Sequence, residues 1–387
     1  MKVALYHPWV YLTSGIERMF VEVLDRSRHD WTIYTHHHEP ESTYPELLAA
    51  DVVQLEPEVS VQRSLGPLVH AARTMARTDV GQRGEQALLV SSEGLGDLVM
   101  ARSTLPAVCY CHTPLKIVHD PVAQANLAEV SRAKQLATRV IGPAFTAVDK
   151  RMWRRYKHVL VNSDETRRRV VAAGLAPAGV PEVLHPGVDL TRFGGEHAEG
   201  GRKRQFLVAG RIMWQKRIEL AIDALAQAGT DCSLVIAGAV DRKSEPYLVE
   251  LRRRAEGLPV TFEPAPTDER LAELYRESLA LVFTAPNEDF GIVPLEAMAS
   301  GLVVIGPDAG GPRESVMHGE TGWLVKAGDA EAYALQLEEV ASMSNAQLGP
   351  HRKLARLRAS QFSWDAFTER LDDVVEGVVE GVVTPAR

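Results

Sequence analysis

The chain has 387 residues, 45% hydrophobic and 24% charged, with a formal net charge of −8. That length exceeds one ordinary core and predicts two domains. The acidic balance argues against a general nucleic-acid binder, which would be basic. Three cysteines (Cys109, Cys111, Cys232) make no disulfide framework and fit a reducing cytoplasm. The start, Met1 to Tyr6, is too short an apolar stretch for a signal peptide, and no run of about 18 apolar residues predicts a membrane span.

In chain order, Val3 to Tyr6 reads as a strand and Gly15 to Leu24 as a helix with Ile16, Met19, Phe20 and Val23 on one face. Strands are predicted at Trp31–Thr35, Val52–Leu55, Ala87–Ser91, Ala107–Cys111 and Val159–Asn162, the last followed by a helix capped by Ser163. The glycine-rich stretch Gly194 to Arg204 reads as a linker. A second set follows: strands at Phe206–Ala209, Cys232–Ala237, Val260–Phe262, Leu279–Phe283, Val303–Ile305 and Gly322–Val325, with helices at Arg217–Gln227 and Glu245–Ala255. The last helix is predicted over Trp364 to Val383, with Gly377 and Gly381 weakening its far end. Strand–helix alternation implies parallel, doubly wound sheets, here two Rossmann-like halves.

The most informative stretch is Asn287-Glu288-Asp289-Phe290-Gly291-Ile292-Val293-Pro294-Leu295-Glu296. It follows an apolar strand and leads into a helix, with Pro294 suited to the first turn and Gly291 allowing close backbone approach. Carboxylates bond sugar hydroxyls, and helix-start N–H groups bind phosphate. Gly210-Arg211 follows another strand, with Lys216 five residues on, so both cations are expected at the carboxyl edge of a sheet, where such folds bind ligands. In the first half, Thr13-Ser14-Gly15-Ile16-Glu17 is a glycine-bearing helix start, and His112 follows a strand in Tyr110-Cys111-His112-Thr113-Pro114. Metal binding by Cys109, Cys111 and His112 is disfavoured, since no second cysteine pair completes a tetrahedral set, and His36-His37-His38 reads as a polar loop.

Glu288 and Glu296, eight positions apart, resemble the E-x7-E motif of retaining glycosyltransferases of the GT-B fold, family 4 (glycosyl transferases group 1). His185-Pro186-Gly187-Val188-Asp189, Gly310-Gly311-Pro312-Arg313-Glu314 and Gly319 to Val325 match further family segments, and Ser14 stands where the family usually has the first of two glycines. The resemblance implies α/β architecture with two Rossmann-like domains facing across a cleft: residues 1–190 for the acceptor, residues 191–363 for the donor, and the helix 364–387 packing back on the first. It also implies transfer of a sugar from a nucleoside diphosphate-sugar, UDP- or GDP-linked, to a small-molecule, glycan or lipid-linked acceptor. The His-Thr-Pro version of the histidine segment is similar to mannosyltransferases using GDP-mannose. Under it, His112, Glu288, Arg211 and Lys216 are the expected catalytic group. Gly15, Arg211, Lys216, Glu288, Phe290, Gly291, Ile292, Val293 and Glu296 would bind the donor, and Trp9 and Glu17 the acceptor. No cofactor is expected and no Asp-x-Asp metal motif occurs, which implies metal independence. The run Lys150 to Lys157 mixes five cations with two aromatics and suggests peripheral contact with the inner membrane face. A nucleotide-sugar epimerase or a non-enzymatic nucleotide-sugar-binding protein of the same fold is the alternative.

Overall fold

The computed structural model describes residues 1–62, 65–124, 132–194 and 202–382. Residues 195–201 of the expected linker, and the tail 383–387, lie outside the described residues. The chain divides into two compact units, Met1–Pro186 with Trp364–Arg387, and Gly187–Ser363. The division falls at 186/187, four residues before the expected boundary.

The first unit is built on a seven-stranded parallel sheet. Its strands are β1 (Lys2–Tyr6), β3 (Asp30–Thr35), β5 (Val52–Gln54), β6 (Ala87–Ser92), β7 (Ala107–Cys111), β8 (His158–Val161) and β9 (Glu182–Val183), in the spatial order β5-β3-β1-β6-β7-β8-β9. Strands β6 and β7 are buried along their whole length; β7 reads as an unbroken apolar run, and β6 as an apolar run closed by the buried Ser91 and Ser92. A small parallel ribbon joins β2 (Trp9–Val10) to β4 (His37–His38). His37 and His38 of the histidine run therefore form a strand rather than a loop, while His36 stays outside it, and His37 lies between Glu58 (Nδ1, 2.6 Å) and Glu39 (Nε2, 2.8 Å).

The second unit holds a six-stranded parallel sheet: β10 (Gln205–Ala209), β11 (Ser233–Gly238), β12 (Val260–Pro264), β13 (Ala280–Val282), β14 (Val303–Pro307) and β15 (Gly322–Val325). The order β12-β11-β10-β13-β14-β15 reverses direction between β10 and β13. Alternate side chains serve opposite faces: Phe206, Val208, Leu234 and Ile236 enter one apolar core, and Leu207, Ala209, Val235 and Ala237 the other.

The last helix, Trp364–Glu380, belongs to the first unit. Phe367 and Leu371 are buried, and Phe367 meets Tyr110 edge-on at 5.3 Å. The buried carboxylate of Asp372 accepts from Ser27 Oγ (2.6 Å) and the Arg28 N–H (3.0 Å). The helix runs through Gly377; Gly381 (φ 74°) ends it, with Val382 N–H donating back to Gly377 O at 3.0 Å. The cationic run at 150–157 differs from expectation. Met152, Trp153 and Tyr156 are buried, and Arg155 donates to the carbonyls of Ala101 and Ser103, so this run's aromatics are core rather than a membrane face. Among the described residues no helix is long and apolar enough to cross a membrane.

Leu371 is fully buried in the first unit. Leu371→Ala is expected to destabilise it by about 2–5 kcal/mol, read as a lower urea midpoint. An unchanged midpoint would remove this helix from the core of that unit.

Candidate functional site

The order reversal in the second sheet brings the carboxyl ends of β10 and β13 side by side, the position where parallel sheets leave a crevice. Arg211, Lys216, Phe283 and Thr284 line a small cavity there. Lys216 ends the short 3-10 turn Trp214–Lys216, and its backbone carbonyl accepts from Thr284 Oγ1 at 2.7 Å. Its Nζ donates to Glu288 Oε2 at 2.7 Å and lies 5.7 Å from the Phe283 ring centre. The Lys216 and Glu288 side chains are 23% and 24% exposed, so the pair is sheltered yet reachable. Arg211 is exposed, with no ion-pair partner among the described residues.

The stretch after Glu288 turns sharply. Gly291 (φ 86°) is the N-cap of helix Ile292–Ala299 and offers no capping side chain. Pro294 has no N–H, so the uncapped donors of the first turn are those of Ile292 and Val293. Glu296, one turn further, accepts from the buried Tyr275 hydroxyl at 2.8 Å. The Gly310–Gly311 pair presses on this turn: Gly311 N–H donates to Glu288 O at 3.1 Å, and a Cβ on Gly311 would fall 2.2 Å from Phe290 O. Two strand-to-helix turns thus pack backbone against backbone, which only glycine permits. The Phe290 side chain is buried against Phe362, so what it offers a ligand is backbone alone.

In the first unit, His112 follows β7. Its Nε2 lies 2.9 Å from Ser91 Oγ, and its carbonyl accepts from Asn162 Nδ2 and Thr166 Oγ1. Burial pushes its pKa down to about 3, with Glu93 opposing and His7 adding to the shift, so the imidazole is neutral near pH 7. Gly15, in the first turn of helix Gly15–Arg26, has open space where a Cβ would stand. The two residues expected at the acceptor, Trp9 and Glu17, are both buried within the first unit. Glu17 is buried and accepts from the Leu12 N–H (3.3 Å) and from the hydroxyl of Ser14, which is itself the N-cap of the helix. Trp9 is a core residue of the β2 ribbon. Ser91, Thr284 and Tyr275 escape sequence reading because they act through partners far away in the chain.

Against this geometry, residues 192–354 match the family described as Glycosyl transferases group 1, and residues 15–192 match Glycosyltransferase Family 4. The chain is 27% identical over 308 residues to D-inositol 3-phosphate glycosyltransferase of Streptomyces avermitilis, covering 74% of this chain and 63% of that protein. It thus spans less than two thirds of that relative's length. It is also 27% identical over 333 residues to the alpha-1,3/1,6-mannosyltransferase alg-2 of Neurospora crassa, covering 75% and 68%. Anabaena HepE, solved in complex with UDP and glucose, superimposes with a TM-score of 0.73 at 17% identity, over 97% of this chain and 100% of that one.

Two outcomes follow from the geometry. Gly311→Ala must displace the Phe290–Gly291 turn, so hydrogen exchange should quicken at residues 288–293 while β10 and β14 stay protected. Equal protection in both proteins would refute the contact. The His112 C2–H resonance should stay flat from pH 8 to below 5, whereas an ordinary histidine titrates near 6.5. Because the folded pKa lies below the unfolded value, the stability linked to His112 is complete above about 6.5 and is lost as pH falls toward about 3.

Proposed function

Because the chain belongs to the family 4, group 1 glycosyltransferases of the GT-B fold, we propose that it transfers a sugar from a nucleoside diphosphate-sugar to a hydroxyl acceptor. The observation that carries this reading is the Lys216–Glu288 pair (2.7 Å) at the strand-order reversal, beside exposed Arg211 and the uncapped N–H groups of Ile292 and Val293. Arg211, Lys216 and those N–H groups are donors suited to the negative charge that grows on a departing diphosphate. Lys216 has three N–H donors and spends one on Glu288, so it can hold the carboxylate and a phosphate oxygen together.

Glu288 and Glu296 then bond hydroxyls of the transferred sugar and the ribose. A carboxylate bound to a cation is a poor nucleophile, which favours front-face departure and attack with retention of configuration. The neutral His112 imidazole serves as a hydrogen-bond partner for substrate rather than as an acid. No residue of the proposed set calls for a metal. The donor is a UDP- or GDP-sugar: the structural relative holds UDP and glucose, and the Neurospora relative is a mannosyltransferase. We place the protein in the cytoplasm. A peripheral lipid contact stays within the proposal because helix Arg132–Trp153 exposes Leu136, Val140, Ile141 and Val148 beside Arg139.

The test is a melting-temperature panel of UDP-, GDP-, ADP- and dTDP-sugars with and without EDTA. One nucleotide class should raise Tm by mass action, with no effect of EDTA. Lys216→Ala should weaken that ligand about ten-fold or more. Glu288→Gln should keep binding but lower kcat by about 10²-fold. No shift with any donor from a folded protein would sink the reading, and an epimerised free sugar nucleotide as product would replace transfer by epimerisation.

A further inference from the structure

At the opposite, amino edge of the second sheet, three guanidinium groups gather with no carboxylate beside them among the described residues. Arg202 enters just before β10, and its terminal N–H groups are committed: Nη1 donates to the carbonyls of Tyr275 and Ser278 (2.8 Å each), and Nη2 to those of Ser300 (2.9 Å) and Gly301 (2.8 Å). These carbonyls lie at the C-terminal ends of helices Asp268–Glu277 and Ile292–Ala299, where partial negative charge favours a cation. One arginine meets that need.

Arg352 and Arg356 add two more cations, one turn apart on helix Asn345–Ala359. The Arg356 guanidinium rests on Gly301, where a Cβ would fall 2.5 Å from Cζ. Arg352 Nη1 donates to Asn345 Oδ1 (3.1 Å), but its Nε and Nη2 are buried without a partner among the described residues. Ser300 is 1% exposed, and its Oγ is likewise unpartnered. Burial, then the charges of Arg352 and Arg356, push Arg202 down to about 9, and no carboxylate among the described residues offsets the group. Unmatched buried donors beside like charges cost stability, and an oxyanion would satisfy both.

We propose that Arg352, Arg356 and Ser300 form a binding site for a phosphate-class oxyanion, at the edge of the sheet opposite the donor pocket. Two guanidinium forks match tetrahedral oxygens and the hydroxyl supplies a further donor, while Arg202 contributes charge and holds the floor. A purely structural cluster, by contrast, would affect stability and leave phosphate affinity untouched.

The experiment titrates the full chain with inorganic phosphate at constant ionic strength, by calorimetry and melting temperature. A saturable response is expected, about ten-fold weaker or more in the Arg352→Gln/Arg356→Gln variant and retained in Lys216→Ala. An equal response in the wild type and the double variant, or a response lost only in Lys216→Ala, overturns the proposal. Should the double variant fail to fold, Ser300→Ala alone must weaken phosphate, and unchanged affinity there also overturns it. Vesicles of phosphatidic acid in phosphatidylcholine distinguish the source. Pull-down reversed by soluble phosphate assigns the site to a lipid headgroup, and phosphate binding without pull-down assigns it to a soluble phosphate.

Discussion

The structure of the second unit depends on one constraint. A parallel sheet buried on both faces must send its crossover helices to alternate sides, and wherever the strand order reverses, the two flanking strands part their helices and leave a crevice at their carboxyl ends. Here that place is the gap between β10 and β13. The candidate donor site is arranged about it: Arg211 and Lys216 come off one strand end, Glu288 and the helix of Glu296 off the other, and Thr284 and the Lys216–Glu288 pair tie the two together. The Gly310–Gly311 turn closes in from β14 and sets the height of the Glu288 turn. The site is thus made chiefly of backbone held at close range, with few side chains reaching into it.

That balance explains how much could be read from the chain. Buried parallel strands are mostly apolar, so β6, β7, β10 and β14 stand out in the sequence. The acidic turn before a helix, with glycine between, has a local signature, and Glu288, Lys216 and Gly291 fall together as local reasoning expects. Side-chain direction has no such signature. Trp9 and Phe290, expected at the acceptor and the donor, have buried side chains, Trp9 within a two-strand ribbon and Phe290 against the Phe362 ring. Glu17, expected at the acceptor, is buried and bonded to the hydroxyl of the N-cap Ser14 three residues away, a partner that its residue type alone does not announce. Trp153 and Tyr156 sit among cations in sequence while their rings turn inward.

Contacts between distant parts of the chain were also hidden. In the first unit, Asp97 accepts from Tyr156 and from Ser92, and burial followed by the charge of Asp149 pushes its pKa up. Nothing in the sequence around these four residues points to their meeting. The arginine cluster at the amino edge is the same kind of feature, since Arg202 lies 150 positions before Arg352. Sequence periodicity reports which elements form; which polar groups meet is decided by the way the elements are stacked.

The return of the last helix to the first unit has a consequence for how the protein is made. Residues Gly187–Ser363 are an insertion within the other unit, and the ends of that insertion are joined, Val188 N–H donating to Phe362 O at 3.0 Å. A chain emerging from the ribosome completes the inserted unit while the unit begun first still lacks the helix that covers Tyr110 and partners Ser27 and Arg28. Synthesis order and folding order are therefore inverted: the sheet of the first unit waits, with an apolar flank uncovered, until residues 364–380 have been made.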